Sequence, residues 1–382
     1  MKTYDVIVAG LGAMGSAALY QLSKSGVNAL GIDRFGPPHD LGSSHGESRI
    51  TRSAIGEGEE FVPLVLRSNE IWSELEEATG NRLLKQTGLL IFASGTESSV
   101  MHGADILNDT IRIARAHGID HEALHENGLR ERFPDLSFQE GSSGYFEPGA
   151  GYLVPELCVE TNLQEARRLG AEVSTGETVI AIESARGTVK VTTDHNNYEC
   201  GKLVLSAGAW IKKLLGPRVG DDEFRIFRQA MFWFETEADY SEARFPVYLK
   251  AGDDERSSYY GFPSIGGSRT IKVGIEQFDE ETNPDEVDRN VTEAETDAAF
   301  ELVSKSFRIR REGAKAKTCL YTVTPDYGFV IDFLPDADNV LVVSPCSGHG
   351  FKHSAGIGLL AKQLVMDEEP YTDIGRFKFQ GA

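Results

Sequence analysis

Three glycine-rich stretches and two isolated side chains hold the residue types able to do chemistry. The first stretch is Gly10-Leu11-Gly12-Ala13-Met14-Gly15. Small residues at this spacing let the backbone turn tightly and approach a pyrophosphate, whose charge meets unpaired N–H groups at a helix N-terminus. An acid about 20 residues beyond such glycines accepts hydrogen bonds from a ribose. Asp33, followed by Arg34, stands at about that distance, so the pattern reads as a dinucleotide site. The second stretch runs from Pro37-Pro38-His39 through Gly42-Ser43-Ser44-His45-Gly46 to Arg49 and Arg52. Gly42 to Gly46 matches G-x-S-x-G, but a serine nucleophile there requires a strand just before it, which the proline pair opposes. A loop around the dinucleotide is the better reading, with Arg49 and Arg52 turned toward anionic groups. The plain alternative pairs both arginines with local carboxylates.

The third stretch is Ser347-Gly348-His349-Gly350-Phe351-Lys352. His349 and His353 lie one helical turn apart, but no acidic partner stands at motif spacing, and no metal site is read. The isolated side chains are Lys272 and Cys319. Lys272 lies between Ile271 and Val273 in a strand-like run, so its side chain points away from theirs; the alternative is a lysine facing solvent. A cysteine in a strand-like segment is usually a small buried hydrophobe, and Cys346, beside the third stretch, competes with Cys319 for any special role.

The elements that must position these residues follow from periodicity. Val6-Ile7-Val8-Ala9, the glycine turn, a helix from Ser16 to Leu22 and the strand Ala29–Ile32 form a βαβ unit. Apolar spacing predicts a packing helix within 61–79. A hairpin, 179–182 and 189–192, leads to a strand running into Ala207-Gly208-Ala209-Trp210, a second place for a dinucleotide. Residues 216–324 are strand-rich, and the strand 339–343 enters the third stretch ahead of a helix from about 354 to 366. The expected architecture is a discontinuous nucleotide domain (1–80, 145–215 and 325–382) interleaved with a substrate domain (81–144 and 216–324).

The chain has 382 residues, 40% hydrophobic and 25% charged, an ordinary globular mix long enough for two domains. Fifty-nine acidic against 38 basic residues give a net charge of -21, which disfavours nucleic acid and anionic membrane surfaces. An anionic substrate then needs local positive charge. Four scattered cysteines without a CxxC pair argue against a disulfide framework. No apolar run reaches membrane-spanning length, and the N-terminal glycines oppose a signal peptide, so a cytoplasmic protein is expected.

The βαβ glycines, the PPH-x-x-GS-x-HG-x-x-R stretch, Lys272-Val273-Gly274, Thr318-Cys319-Leu320-Tyr321-Thr322 and the terminal Ser-Gly-His-Gly-Phe-Lys together resemble the monomeric sarcosine oxidase family. That family also includes N-methyltryptophan, pipecolate and fructosyl-amine (Amadori) oxidases. The resemblance spans Tyr4 to about Leu364. It implies an α/β fold, with an FAD-binding Rossmann-type domain of the glutathione-reductase-like, D-amino-acid-oxidase-like kind and an interleaved mixed-sheet substrate domain.

It further implies FAD bound covalently through its 8α-methyl group to Cys319. Cofactor contacts would come from Gly10, Gly12, Ala13, Met14, Gly15, Asp33, Arg34, Gly42, Ser43, Ser44, Arg49, Val179, Ala207, Gly208, Trp210, Gly348, His349, Gly350 and Lys352. Lys272 corresponds to the lysine near flavin N5 that activates O2. Arg52 and Lys352 correspond to the residues holding the substrate carboxylate; His45, Arg49 and Tyr260 line the flavin face, and Tyr321 matches a substrate-site tyrosine. The chain departs from sarcosine and N-methyltryptophan oxidases at Glu276, where they carry histidine; an acid there is more like the fructosyl-amine oxidases.

The expected activity is oxidation of a secondary amine bearing a carboxylate to an imine that hydrolyses, with O2 reduced to hydrogen peroxide, by a monomer or small homo-oligomer. Alternatives are a fructosyl-amine oxidase, a nicotinamide-dependent dehydrogenase and a non-catalytic flavin-binding subunit or nucleotide sensor.

Overall fold

The computed structural model of the chain describes residues 2–93, 100–102, 104–185 and 187–379. Strand Lys2–Ala9 sits inside an eight-stranded sheet. Its side chains alternate between two cores: Val6 and Val8 join one, Ile7 and Ala9 the other. Burial on both faces explains the β-branched run, since a parallel strand covered on both sides needs apolar residues throughout. Lys2–Ala9 pairs in parallel with Ala29–Asp33 and with Asn197–Leu205, and Glu172–Thr175 extends the sheet beyond Ala29–Asp33. The far edge of Asn197–Leu205 is shared. Its start pairs with the hairpin Val179–Ala185/Thr188–Thr193, its end in parallel with Ala337–Ser344, which Val330–Leu334 flanks. Helices Ala13–Lys24, Pro155–Arg168 and Ser354–Val365 pack on the Val6/Val8 face.

This parallel arrangement brings the carboxyl ends of four strands, at Ala9, Asp33, Leu205 and Ser344, to one edge of the sheet, where ligands bind in open α/β folds. The helix anticipated within 61–79 runs Val62–Thr79.

The second eight-stranded sheet orders Ile309–Val323, Arg225–Thr236, Thr270–Ile275, Tyr259–Phe262, Val247–Ala251, Leu89–Ala93, Ser143–Glu147 and Glu122–His125. All its pairs are antiparallel except Val247–Ala251 with Leu89–Ala93. A small sheet of Arg49–Thr51, Gly151–Leu153 and Leu84–Gln86 fixes the arginine-bearing stretch. The boundary expected at 145 falls inside Ser143–Glu147, a strand of the second sheet, and Leu84–Gln86 pairs on the side of Arg49–Thr51. Composition does not change where the chain crosses between sheets; only strand pairing marks it. Among the described residues no helix is long and apolar enough to cross a membrane.

Candidate active site

A cleft of about 510 Å³ opens along the carboxyl edge of the first sheet. Its walls include Gly10, Gly12, Ala13, Met14, Asp33, Arg34, Gly42, Ser43, Ser44, Arg49, Val179, Ala207, Gly208, Trp210, Gly348 and Gly350. These sixteen of the anticipated cofactor residues come from six separate stretches of chain.

The turn is built around contacts only glycine allows. Gly10 has φ of +90°, and a Cβ there would lie 2.4 Å from the Ser206 carbonyl oxygen. Gly15 lies behind the cleft wall, where a Cβ would meet the Gly10 carbonyl oxygen at 1.8 Å. At the start of helix Ala13–Lys24 no side chain caps the Gly12 position, and the Ala13 N–H donates to Ser44 Oγ at 3.2 Å. Ser44 thus serves the turn, and residues 42–46 form bends rather than a strand-to-helix elbow.

The Asp33 carboxylate already accepts the Leu11 and Phe35 N–H groups, each at 2.7 Å, which holds it at the cleft edge. Arg34 at the mouth pairs with Asp285, which also accepts Trp210 Nε1–H and Lys213 Nζ–H. This glycine cradle, the uncapped helix start and the acid at the strand end fit FAD.

At Arg49, Tyr321, Gly348 and Phe351 the cleft meets a second cavity of about 60 Å³. The anticipated Arg52, Tyr260, Glu276, His349 and Lys352 line this smaller space. His349 and Lys352 therefore face the small cavity rather than the cleft. Arg52 forms a buried ion pair with Glu57, the plain alternative for that arginine. Burial would raise the Glu57 carboxyl, but Arg52 and Lys352 outweigh it and hold it well below the usual carboxylate range.

Arg49 donates to the Ser48 and Ser43 carbonyl oxygens. Lys352 Nζ donates to the His349 carbonyl oxygen at 2.6 Å, and burial, with Arg52, lowers its pKa to about 7 against the pull of Glu57. Among the described residues neither Arg49 nor Lys352 has a carboxylate at ion-pair distance. The Tyr260 and Tyr321 hydroxyls are 3.1 Å apart.

Lys272, His45 and Cys319 lie behind these walls. Ile271 and Val273 enter the aromatic core of the second sheet, while Lys272 points the other way. Its Nζ reaches the Gly46 carbonyl oxygen at 2.5 Å, the Ser48 carbonyl oxygen at 2.9 Å and Ser48 Oγ at 3.3 Å. Burial and Arg49 push its pKa well down. The two carbonyl oxygens can only accept, so Nζ donates to both, while the Ser48 hydroxyl completes its three contacts.

Both ring nitrogens of buried His45 lack a hydrogen-bond partner, and burial with Arg49 lowers its pKa to about 3, so the ring is neutral. Cys319 is buried beside Phe227, Met231 and Tyr321. The cysteine on the cleft wall itself is Cys346. Burial pushes the Cys319 thiol up to about 11 although Arg49 and Lys272 favour its thiolate.

Sequence reasoning missed Glu57 and His102. His102 Nε2 is 2.9 Å from Glu276 Oε2, and its Nδ1 is 3.5 Å from Glu57 Oε1. Burial opposes charge on this ring, but Glu276 and Glu57 raise its pKa to about 10. Neither residue belongs to a motif. Among the described residues no group of three or more His, Cys, Asp or Glu side chains is arranged to hold a metal.

Fold and cleft together define an FAD-binding oxidoreductase. The family described as FAD dependent oxidoreductase matches residues 5–364. The chain is 36% identical to the monomeric sarcosine oxidase of Bacillus sp. (strain B-0618), over 98% of this chain and 95% of that one. It is 34% identical to the N-methyl-L-tryptophan oxidase of Yersinia pestis (strain Pestoides F), over 98% of each. Among solved structures, the open form of NikD, an unusual amino acid oxidase essential for nikkomycin biosynthesis, superposes with a TM-score of 0.87 at 21% identity, covering 100% of this chain and 98% of the other. The chain belongs to the FAD dependent oxidoreductase family, in the branch of the monomeric sarcosine and N-methyltryptophan oxidases. It is a flavin-dependent amine oxidase, which sets aside the nicotinamide-dependent reading.

Proposed function

We propose that this enzyme oxidises a small N-methyl or N-alkyl amino acid, sarcosine-like in size. The observation that carries this reading is the small cavity, lined by Arg49, Arg52 and Lys352 together with Glu57 and Glu276, that opens off the flavin cleft at Arg49, Tyr321 and Gly348. At roughly 10–15 Å³ per water-sized group, about 60 Å³ admits only a few such groups. A fructosyl substituent is too large for it as it stands, and Glu276, the residue that suggested a sugar, faces His102 instead.

FAD, when bound, supplies the two-electron acceptor that converts the amine to an imine and passes the electrons to O2 as hydrogen peroxide. The chain's residues bind and orient. Lys352, with Arg52 beside it, takes the substrate carboxylate; Arg52 is shared with Glu57, so Lys352 brings the freer charge. Cations around the site lower the bound amine's pKa and favour the neutral form, whose lone pair drives the oxidation. Lys272 supplies positive charge for the oxygen step. A peroxide-coupled screen of sarcosine, N-methyltryptophan, pipecolate, proline and fructosyl-glycine tests the reading. Turnover of fructosyl-glycine alone would overturn it.

The lowered pKa of Lys352 sets a pH dependence. The group is charged below about 7 and neutral above it, so a small carboxylate without an amine, such as propionate, inhibits more weakly as pH rises through about 7. The inhibition constant should rise by up to about tenfold per pH unit on the alkaline side. An inhibition constant unchanged from pH 6 to pH 9 removes Lys352 from this role.

We also place the covalent link to FAD at Cys319. Cys319→Ser should then let all flavin separate from acid-denatured protein. Flavin still attached to that variant would move the link to Cys346 on the cleft wall.

A further inference from the structure

Residues 46–48 carry the two carbonyl oxygens that hold Lys272, and the chain bends sharply to present them. Gly46 has φ of +96° and Glu47 φ of +72°, two left-handed residues in succession. The Ser48 N–H donates to the Gly46 carbonyl oxygen at 2.9 Å, so Glu47 is the centre of a three-residue turn of the rare, strained kind. A residue with a side chain keeps such a conformation only where its surroundings enforce it, most often at functional sites. The enforcing group is Glu156. Its Oε1 accepts the Gly46 N–H at 2.6 Å and the Glu47 N–H at 3.1 Å. Glu156 stands in the first turn of helix Pro155–Arg168, where the unpaired N–H groups of the helix favour negative charge. That helix packs on the first sheet, whereas Lys272 belongs to the second. The Glu47 side chain ties the turn to the second sheet as well, accepting Trp233 Nε1–H at 3.0 Å. Burial and Arg49 lower the pKa of Lys272, and Glu156 and Glu47 are among the groups that raise it.

We propose that Glu156 is a positioning residue for the oxygen step: it locks the turn at 46–48, whose two carbonyl oxygens fix Nζ of Lys272. The carboxylate acts only through that turn. Without it the left-handed pair relaxes, the Gly46 and Ser48 carbonyl oxygens swing away, and the lysine loses the grip that sets where its charge stands. This rests on the reading that Lys272 supplies positive charge for the reaction with O2, and adds the group that places it.

Two substitutions separate reach from charge. Glu156→Gln keeps the length and a carbonyl oxygen for both N–H groups; Glu156→Asp keeps the charge at the helix start but is one methylene short of the turn. The flavin-loaded proteins are reduced with stoichiometric dithionite and mixed with O2 in a stopped-flow instrument. Re-oxidation should stay within about threefold of wild type in Glu156→Gln and slow by about tenfold or more in Glu156→Asp, because misplacing a reacting group by about 1 Å costs up to about 10²-fold. Anaerobic reduction by the best amine of the peroxide-coupled screen should change by less than about twofold in either, with flavin content and melting temperature reporting an intact fold. Combined with Lys272→Met, Glu156→Asp should slow re-oxidation no further, since the two residues act as one unit. Wild-type re-oxidation in Glu156→Asp, equal slowing in both variants, or a further slowing on top of Lys272→Met overturns the proposal. Wild-type re-oxidation in Lys272→Met alone instead removes the lysine's role, and the proposal falls with it.

Discussion

Lys272→Met should leave anaerobic reduction of the flavin by amine nearly unchanged and slow its re-oxidation by O2 by about 10²- to 10³-fold, the usual consequence of removing one preorganised group that stabilises developing negative charge. Electron transfer to O2 builds superoxide charge, and a fixed cation lowers its energy most where water is excluded. Lys272 is 2% exposed, and its ammonium is gripped by two carbonyl oxygens and the Ser48 hydroxyl. Methionine fills a similar volume without charge, so the packing around Phe262 and Trp233 survives. Stopped-flow measurement of the two half-reactions separately is the check. Oxygen reactivity equal to that of wild type would remove Lys272 from the role. Because burial and Arg49 lower the pKa of Lys272, the charge should also be lost at lower pH than for a surface lysine, so the oxidative half-reaction falls on the alkaline side.

The second large effect belongs to the glycine turn, where two substitutions of the same size should act differently. Gly15→Ala puts a methyl 1.8 Å from the Gly10 carbonyl oxygen and 2.6 Å from Ser206 Oγ, so the strand and helix must part. Overpacking of this kind costs about 1–3 kcal/mol or more, and here it moves backbone that shapes the cleft. The variant should melt at a lower temperature and purify nearly free of flavin. Gly12→Ala meets only Ser44 Oγ, at 3.6 Å, so the apoprotein should melt as wild type does. Its methyl nevertheless stands on the cleft wall, and FAD affinity should fall by more than about tenfold, since this backbone must approach a pyrophosphate closely. Flavin absorbance per protein and apoprotein melting curves separate the two cases. A Gly12→Ala protein with wild-type FAD content would mean that the phosphates do not pass over this turn.

The first sheet was legible because parallel pairing writes itself into the chain locally. Val6-Ile7-Val8-Ala9 is apolar on both faces, its turn is glycine-rich, and Asp33 ends the next strand; each signal lies within a few dozen residues. The pairing of Ser143–Glu147 with Leu89–Ala93 left no such mark, since both read as short strands and nothing nearby fixes their partner. The small cavity was half legible. Arg52, Lys352, Tyr260 and Tyr321 stood in or near motifs, whereas Glu57 and His102 matter only through neighbours distant in sequence.

By itself the sequence determined the glycine turn, the loops that line the cleft and the cationic residues around it, because glycine spacing, strand alternation and fixed charge are local properties. Only the tertiary structure decided that Arg52 is shared with Glu57, that Glu276 faces His102, and that Cys346 rather than Cys319 stands on the cleft wall. Ion pairing and burial depend on which surfaces close against each other, and in this chain those surfaces come from two sheets.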